Sequence, residues 1–249
     1  MSLLNVQNVS RHFGSLVAVD DVSMSVQSGE LRAVIGPNGA GKTTFFNLIS
    51  GLLPPTSGKI LLDDRDITPL SPQQRVALGV ARTFQITEVF PELSVRENLR
   101  IPVESAAGLR LRPWLSPRVD AEVSRRVAEF LKMGGLATKA ERLAGELPHG
   151  DQRATEIMMA LALRPRLLLL DEPTAGMGDQ ETYDITRLVR RLHRDHKLTI
   201  VLIEHDMRVI FHLADRITVL AEGSVLAEGT PPQIAADERV QAAYLGKAA

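Results

Sequence analysis

Gly36-Pro37-Asn38-Gly39-Ala40-Gly41-Lys42-Thr43-Thr44 is a complete G-x-x-x-x-G-K-[ST] phosphate-binding loop. Leu31 to Ile35, before it, reads as a buried strand, and Thr44 to Ser50, after it, reads as the helix such a loop opens into. Its glycines let the backbone turn N–H groups toward the β- and γ-phosphates of a nucleotide, and the helix N-terminus adds about half a positive charge at the same point. Lys42 would reach the phosphates as a point charge, and the Thr43 hydroxyl would bind Mg²⁺. A glycine-rich turn without a ligand is the competing reading, and the complete motif in its proper context opposes it.

The rest of the chain is that of a globular protein. It has 249 residues, 44% of them hydrophobic, enough for one large core or two small ones. A net charge of −1 offers no basic footprint for a nucleic-acid backbone. With no cysteine, disulfides and thiolate metal sites are excluded, which fits a reducing compartment. The first residues show no export signal, and the longest apolar runs fall far short of the roughly 20 residues that span a bilayer. A soluble protein is expected, with any membrane role coming through partners.

Upstream of the loop, residues 3 to 35 alternate short apolar runs with turns and read as an antiparallel β-layer. Within it Phe13 precedes Gly14. Alone it reads as a core or surface residue, although a ring there could stack on a base.

Downstream, Lys59 to Asp63 reads as a strand, and Ser71-Pro72 opens a short helix that Gly79 ends. Val80 to Phe84 leads to Gln85, which alone reads as a surface residue. From Glu88 to Gly145 the pattern becomes helical. Glu104 to Pro117 reads as irregular, with Trp114, Arg110, Arg112 and Arg118, and Val119, Val123, Val127, Phe130 and Leu131 recur at helical spacing. The stripe reads as core and the arginines as a solvated face, with Trp114 a contact point if a partner docks there.

A further helix is expected from about Ala154 to Leu163. Leu167 to Leu170 then reads as a central parallel strand buried on both faces, delivering Asp171-Glu172. Adjacent carboxylates at such a place require a cation, and an Mg²⁺ held by Thr43 supplies one. Asp171 would reach the metal, and Glu172 would orient or deprotonate a water. After the amphipathic helix Asp179 to His196, the strand Leu198 to Ile203 ends in Glu204-His205. A lone histidine reads as a structural residue, but one at a strand end beside the Asp171-Glu172 strand can donate to a γ-phosphate instead, and that reading is favoured here. No internal repeat is visible, so one nucleotide site per chain is expected.

In order and spacing these motifs resemble the ATP-binding cassette (ABC) ATPases over essentially the whole chain. The matching parts are the phosphate loop, Gln85 as Q-loop, residues 147 to 152 as signature, 167 to 172 as Walker B strand, and His205 as switch histidine. Ala81-Arg82-Thr83-Phe84-Gln85, Phe90 to Leu99, Thr174-Ala175-Gly176-Met177 and Ala243-Tyr244-Leu245-Gly246 are similar to the branched-chain amino acid importer ATPases.

The resemblance implies an α/β P-loop NTPase: a RecA-like core with an antiparallel β-subdomain and an inserted α-helical subdomain. The expected divisions are 1–86 for the first part of the core with the β-subdomain, 87–160 for the helical signature subdomain, and 161–249 for the rest of the core with a C-terminal helix. It further implies ATP and Mg²⁺ as ligands, with Phe13 on adenine, Gly36, Pro37, Asn38, Gly39, Ala40, Gly41, Lys42, Thr43 and Thr44 on the phosphates, and Thr43, Gln85 and Asp171 serving the metal. Glu172 becomes the general base, assisted by Gln85 and His205.

A head-to-tail dimer with itself or a sister cassette would bring Leu147, Pro148, His149, Gly150, Asp151 and Gln152 to the partner's ATP. Permease subunits would hold the pair at the inner face of the membrane, and a solute-binding protein would act indirectly. Two departures stand out. Pro148 replaces the serine of Leu-Ser-Gly-Gly-Gln and removes a hydroxyl and an N–H, where a charged hydrogen bond contributes about 1.5–3 kcal/mol. Gly178 stands where the D-loop carries Asp or Asn, which weakens communication between the two sites. The alternatives are a soluble non-transport ABC ATPase and a regulatory module that closes on ATP but hydrolyses poorly.

Overall fold

A computed structural model describes residues 2–83, 88–109 and 116–245. Gln85, Arg110, Arg112 and Trp114 lie outside the described residues. In chain order the elements are β1 (Ser2–Phe13), β2 (Leu16–Gln27), β3 (Leu31–Ile35), α1 (Lys42–Ser50), β4 (Ser57–Leu62), β5 (Arg65–Asp66), α2 (Pro72–Ala77) and β6 (Val80–Arg82). Then come α3 (Val95–Ala106), α4 (Pro117–Met133), α5 (His149–Ala162), β7 (Leu167–Asp171), α6 (Asp179–His196), β8 (Thr199–Ile203) and α7 (Met207–Leu213). The hairpin β9 (Arg216–Ala221) and β10 (Ser224–Gly229), α8 (Pro231–Ala235) and α9 (Glu238–Leu245) close the chain.

Two sheets organise these elements. One, in order β10-β9-β3-β8-β7-β6, is parallel except for the β9/β10 hairpin; the other, β2-β1-β4-β5, is antiparallel. Strands β3, β7 and β8 are buried at every residue, as a parallel sheet covered on both faces requires. Their side chains divide by parity. Leu168, Leu170, Ile200 and Leu202 pack with the apolar stripes of α3 to α6, whereas Leu167, Leu169, Val201 and Ile203 pack with Phe45, Phe46 and the antiparallel layer.

In register, Val34 and Asp171 both face Ile203, so β3, β7 and β8 end side by side. Everything carried just past those ends converges, as ligand sites do at the carboxyl edge of open α/β sheets.

Three sequence expectations need correction. The strand feeding the phosphate loop belongs to the parallel sheet, and the antiparallel layer is completed by β4 and β5 instead. α3 continues to Ala106 despite Pro102, with Arg100 pairing Glu104 one turn on at 2.6 Å. α5 begins at His149, five residues before Ala154, because Pro148 already has the extended backbone of an N-cap (φ −53°, ψ 153°) and nothing after it breaks a helix. Of the arginines expected on a solvated face, Arg118 is exposed on α4; beyond it on the same helix, exposed Arg125 and half-buried Arg126 pair with Glu122 and Glu129. Among the described residues no helix is long and apolar enough to cross a membrane.

Candidate functional site

The loop after β3 turns on two glycines that no other residue could replace. A Cβ at Gly36 would lie 2.1 Å from the Leu220 carbonyl oxygen, and one at Gly41 would lie 2.4 Å from that of Ala18. Gly41 is also the N-cap of α1, in the left-handed region and without a side chain to cap the helix. Ala40 donates its amide to the Pro37 carbonyl, and the first helical bond runs from the Phe45 amide to Gly41. The amides of Lys42, Thr43 and Thr44 therefore remain available, which is what an anion at a helix N-terminus uses.

These residues line a cleft of about 300 Å³ formed by Leu16, Val17, Ala18, Asn38 to Thr44, Glu172 and His205. Thr43 is exposed and lines it. Lys42 is 7% exposed and donates to the carbonyls of Gly36 (2.8 Å) and Pro37 (3.0 Å). Its burial pushes the ammonium pKa below 10.5, against the opposing pull of Glu172 and Asp171.

The cation beside the paired carboxylates comes from the protein itself. Buried Asp171 accepts from the Arg82 guanidinium at 2.8 Å, and Arg82 also donates to Asn47 (2.7 Å) and Ser50 (3.0 Å) of α1. The sequence reading assigned this neutralisation to Mg²⁺ alone. It missed this role of Arg82, which it quotes only within the Ala81 to Gln85 stretch; the further signal is a guanidinium directly following the apolar Val80-Ala81. The Glu172 carboxylate accepts from His205 Nε2 at 2.8 Å in the tautomer that protonates that nitrogen. The backbone of Glu172 stands at φ +45°, a strained value for a glutamate, of a kind concentrated at functional sites.

That strained turn is clamped by Arg153, 2% exposed, which was also missed. Its guanidinium donates to the carbonyls of Asp171 (2.7 Å), Glu172 (2.9 Å) and Pro173 (3.3 Å) and to the carboxylate of Glu156 (2.6 Å).

Residues 147 to 152 lie elsewhere. Leu147 is buried, Pro148 and His149 are exposed, and Gln152 donates back to the Leu147 carbonyl at 2.9 Å. The Gly150 amide donates to Glu181 of α6 at 2.9 Å, and Asp151 is neutralised by Lys139 at 2.5 Å. Pro148, Gly150 and Asp151 line a separate cleft that shares no residue with the phosphate-loop cleft. Phe13 lines neither. Its ring is 43% exposed under the Arg11 guanidinium (4.6 Å) and sits opposite Leu16 in the β1/β2 ladder.

The donor set suits hard-cation chemistry. Magnesium is bound through one or two protein oxygens together with substrate phosphates and water, and the hydroxyl of exposed Thr43 and the second oxygen of Asp171 are of that kind. Among the described residues no group of three or more histidines and carboxylates forms a dedicated metal cage.

A family model described as ABC transporter matches residues 19–175, and one described as branched-chain amino acid ATP-binding cassette transporter matches residues 224–249. The chain is 41% identical over 252 residues to the high-affinity branched-chain amino acid transport ATP-binding protein LivG of Escherichia coli K12, covering 99% of this chain and 98% of that one. Among solved structures it is similar to the ADP conformation of MJ1267, an ATP-binding cassette of an ABC transporter (TM-score 0.87, 30% identity, 99% and 100% of the two chains). It is also similar to the cassette MJ0796 in a dimeric post-hydrolysis state bound to ADP and Pi (TM-score 0.76, 27% identity, 92% and 98%).

Proposed function

The chain belongs to the ABC transporter family of ATP-binding subunits, and we propose that it drives a branched-chain amino acid importer by hydrolysing ATP with Glu172 as general base. The observation that carries this reading is the position of Glu172. Its carboxylate lies on the wall of the phosphate-loop cleft, on a strained backbone, paired with His205.

The adenine stacks against Phe13, and the triphosphate lies along residues 36 to 44. The free amides of α1 and the ammonium of Lys42 take up the charge that builds on the γ-phosphoryl oxygens. A water oxygen attacks γ-phosphorus, its proton passes to Glu172, and the bond from γ-phosphorus to the bridging oxygen of ADP breaks. His205, released from Glu172, bonds the γ-phosphate. Mg²⁺, held by Thr43, Asp171 and Gln85, would neutralise charge on the β- and γ-phosphates when bound.

The signature segment cannot meet the phosphate loop of its own chain through a shared cleft, which favours a head-to-tail pair in which residues 147 to 152 of one cassette face the ATP of the other. Permease subunits would hold that pair at the inner face of the membrane, with a solute-binding protein acting at a distance.

The test is Glu172→Gln, which keeps the size of the side chain and removes the base. ATP affinity should stay within about threefold of the parent while steady-state turnover drops at least about a hundredfold. Turnover unchanged in this variant would sink the assignment.

A further inference from the structure

Glu204, between β8 and His205, is 4% exposed. A carboxylate removed from water must find other donors or a cation, and among the described residues Glu204 has no ion-pair partner. Backbone and hydroxyl donors satisfy it instead. Its Oε1 accepts from the Thr174 amide at 3.0 Å and from the Thr174 hydroxyl, and its Oε2 accepts from the His205 amide at 2.9 Å, with the Asp206 amide 3.5 Å away.

The two oxygens thus face two different segments. One holds the turn that follows Glu172, and the other holds the backbone of His205. The Glu172 and His205 side chains meet at 2.8 Å, and the Glu172 amide donates to the Ile203 carbonyl at 2.9 Å. Glu172, Thr174, Glu204 and His205 therefore form a closed circuit, in which the separation of the two reacting side chains depends on a carboxylate that neither touches substrate nor moves a proton.

We infer that Glu204 is a positioning residue for ATP hydrolysis, setting His205 against Glu172 and making the 173–178 segment and His205 move as one. The inference rests on the hydrolytic role proposed above. It also gives the 173–178 segment, which ends at Gly178 where the family resemblance leads one to expect a polar side chain, another tie to the γ-phosphate side of the site. A carboxylate is required because only it can accept on both sides. The amide of a glutamine presents N–H groups to one of two donor sets, and that side must open.

The test uses the full chain and compares the parent with Glu204→Gln and Thr174→Val, measuring kcat and KM for MgATP. Glu204→Gln should lower kcat about tenfold or more with KM within about twofold of the parent. Thr174→Val, which removes one of the two donors to Oε1, should lower kcat less and in the same direction, and the double variant should be no slower than Glu204→Gln alone. A residue important only for folding would lower the active fraction and add independently of Thr174. A kcat for Glu204→Gln within about twofold of the parent, or a loss matched by an equal rise in KM, overturns the inference. Should that variant fail to fold, Thr174→Val with parental kcat overturns it alone. A parent without turnover strikes the hydrolytic reading itself and this inference with it; an active parent with indifferent variants strikes only the inference.

Discussion

Lys42 spends its ammonium on the carbonyls of Gly36 and Pro37, so nucleotide phosphates must compete for a group that is already hydrogen-bonded and buried. Burial lowers its pKa below 10.5 in the free protein, and an adjacent phosphate favours the charged form and raises it again. The sign follows from linkage. A group whose pKa rises on binding takes up a proton, so affinity is lost as pH climbs through the lowered value of the free protein. Metal-free ATP titrations should show affinity level near neutral pH and falling at a pH below 10.5, with proton uptake by calorimetry in that window. Affinity that holds flat to the range of an ordinary lysine would contradict this account.

Among elements, α5 has the most consequence, because it joins the signature segment at its N-terminus to the Walker B turn through Arg153. Arg153 and Glu156 are a buried ion pair, and removing Arg153 breaks that pair and leaves three carbonyls without that donor. Arg153→Met should lower the unfolding free energy by about 3–5 kcal/mol, read from urea denaturation of the nucleotide-free chain.

At the other end of the helix, Pro148 has nearly the backbone angles of Ser71 and Ser94, which cap α2 and α3 through their hydroxyls. Pro148→Ser therefore fits without rearrangement, and in the proposed head-to-tail pair it restores a hydroxyl on the side of the second cassette. ATP-dependent self-association of the Glu172→Gln protein should strengthen about tenfold in that background, the equivalent of one charged hydrogen bond at the low end of its range. Sedimentation showing equal association constants would mean that the hydroxyl missing at Pro148 does not limit closure.

At the scale of the molecule, the two clefts share no residue, and each holds half of what the hydrolytic reading requires. Self-association is thus expected to depend on nucleotide. Size-exclusion chromatography of Glu172→Gln should give a monomer without nucleotide and a dimer with ATP and Mg²⁺. A monomer that still binds ATP would mean that closure needs a sister cassette or the permease. The occupied Gly150 amide and the neutralised Asp151 bear on this, since Glu181 must yield its hydrogen bond if that amide is to serve a partner's phosphate.

The amino-acid sequence by itself determined the phosphate loop, the buried strands β3, β7 and β8, the cap at Ser71, and the positions of Asp171, Glu172 and His205 at strand ends. Each of these is a local matter of glycine, apolar run or cap, written in contiguous residues. Tertiary structure alone decided who partners whom. Arg82 finds Asp171 across 89 residues and His205 finds Glu172 across 33, because the sheet order β8-β7-β6 lays three strand ends side by side. Periodicity states which face of a strand is buried and is silent about its neighbour. For the same reason Arg153 and Glu204 read as ordinary charged residues in the sequence. Their burial, and the donors and carbonyls that make it affordable, exist only once helix α5 and the two turns have closed over the edge of the sheet.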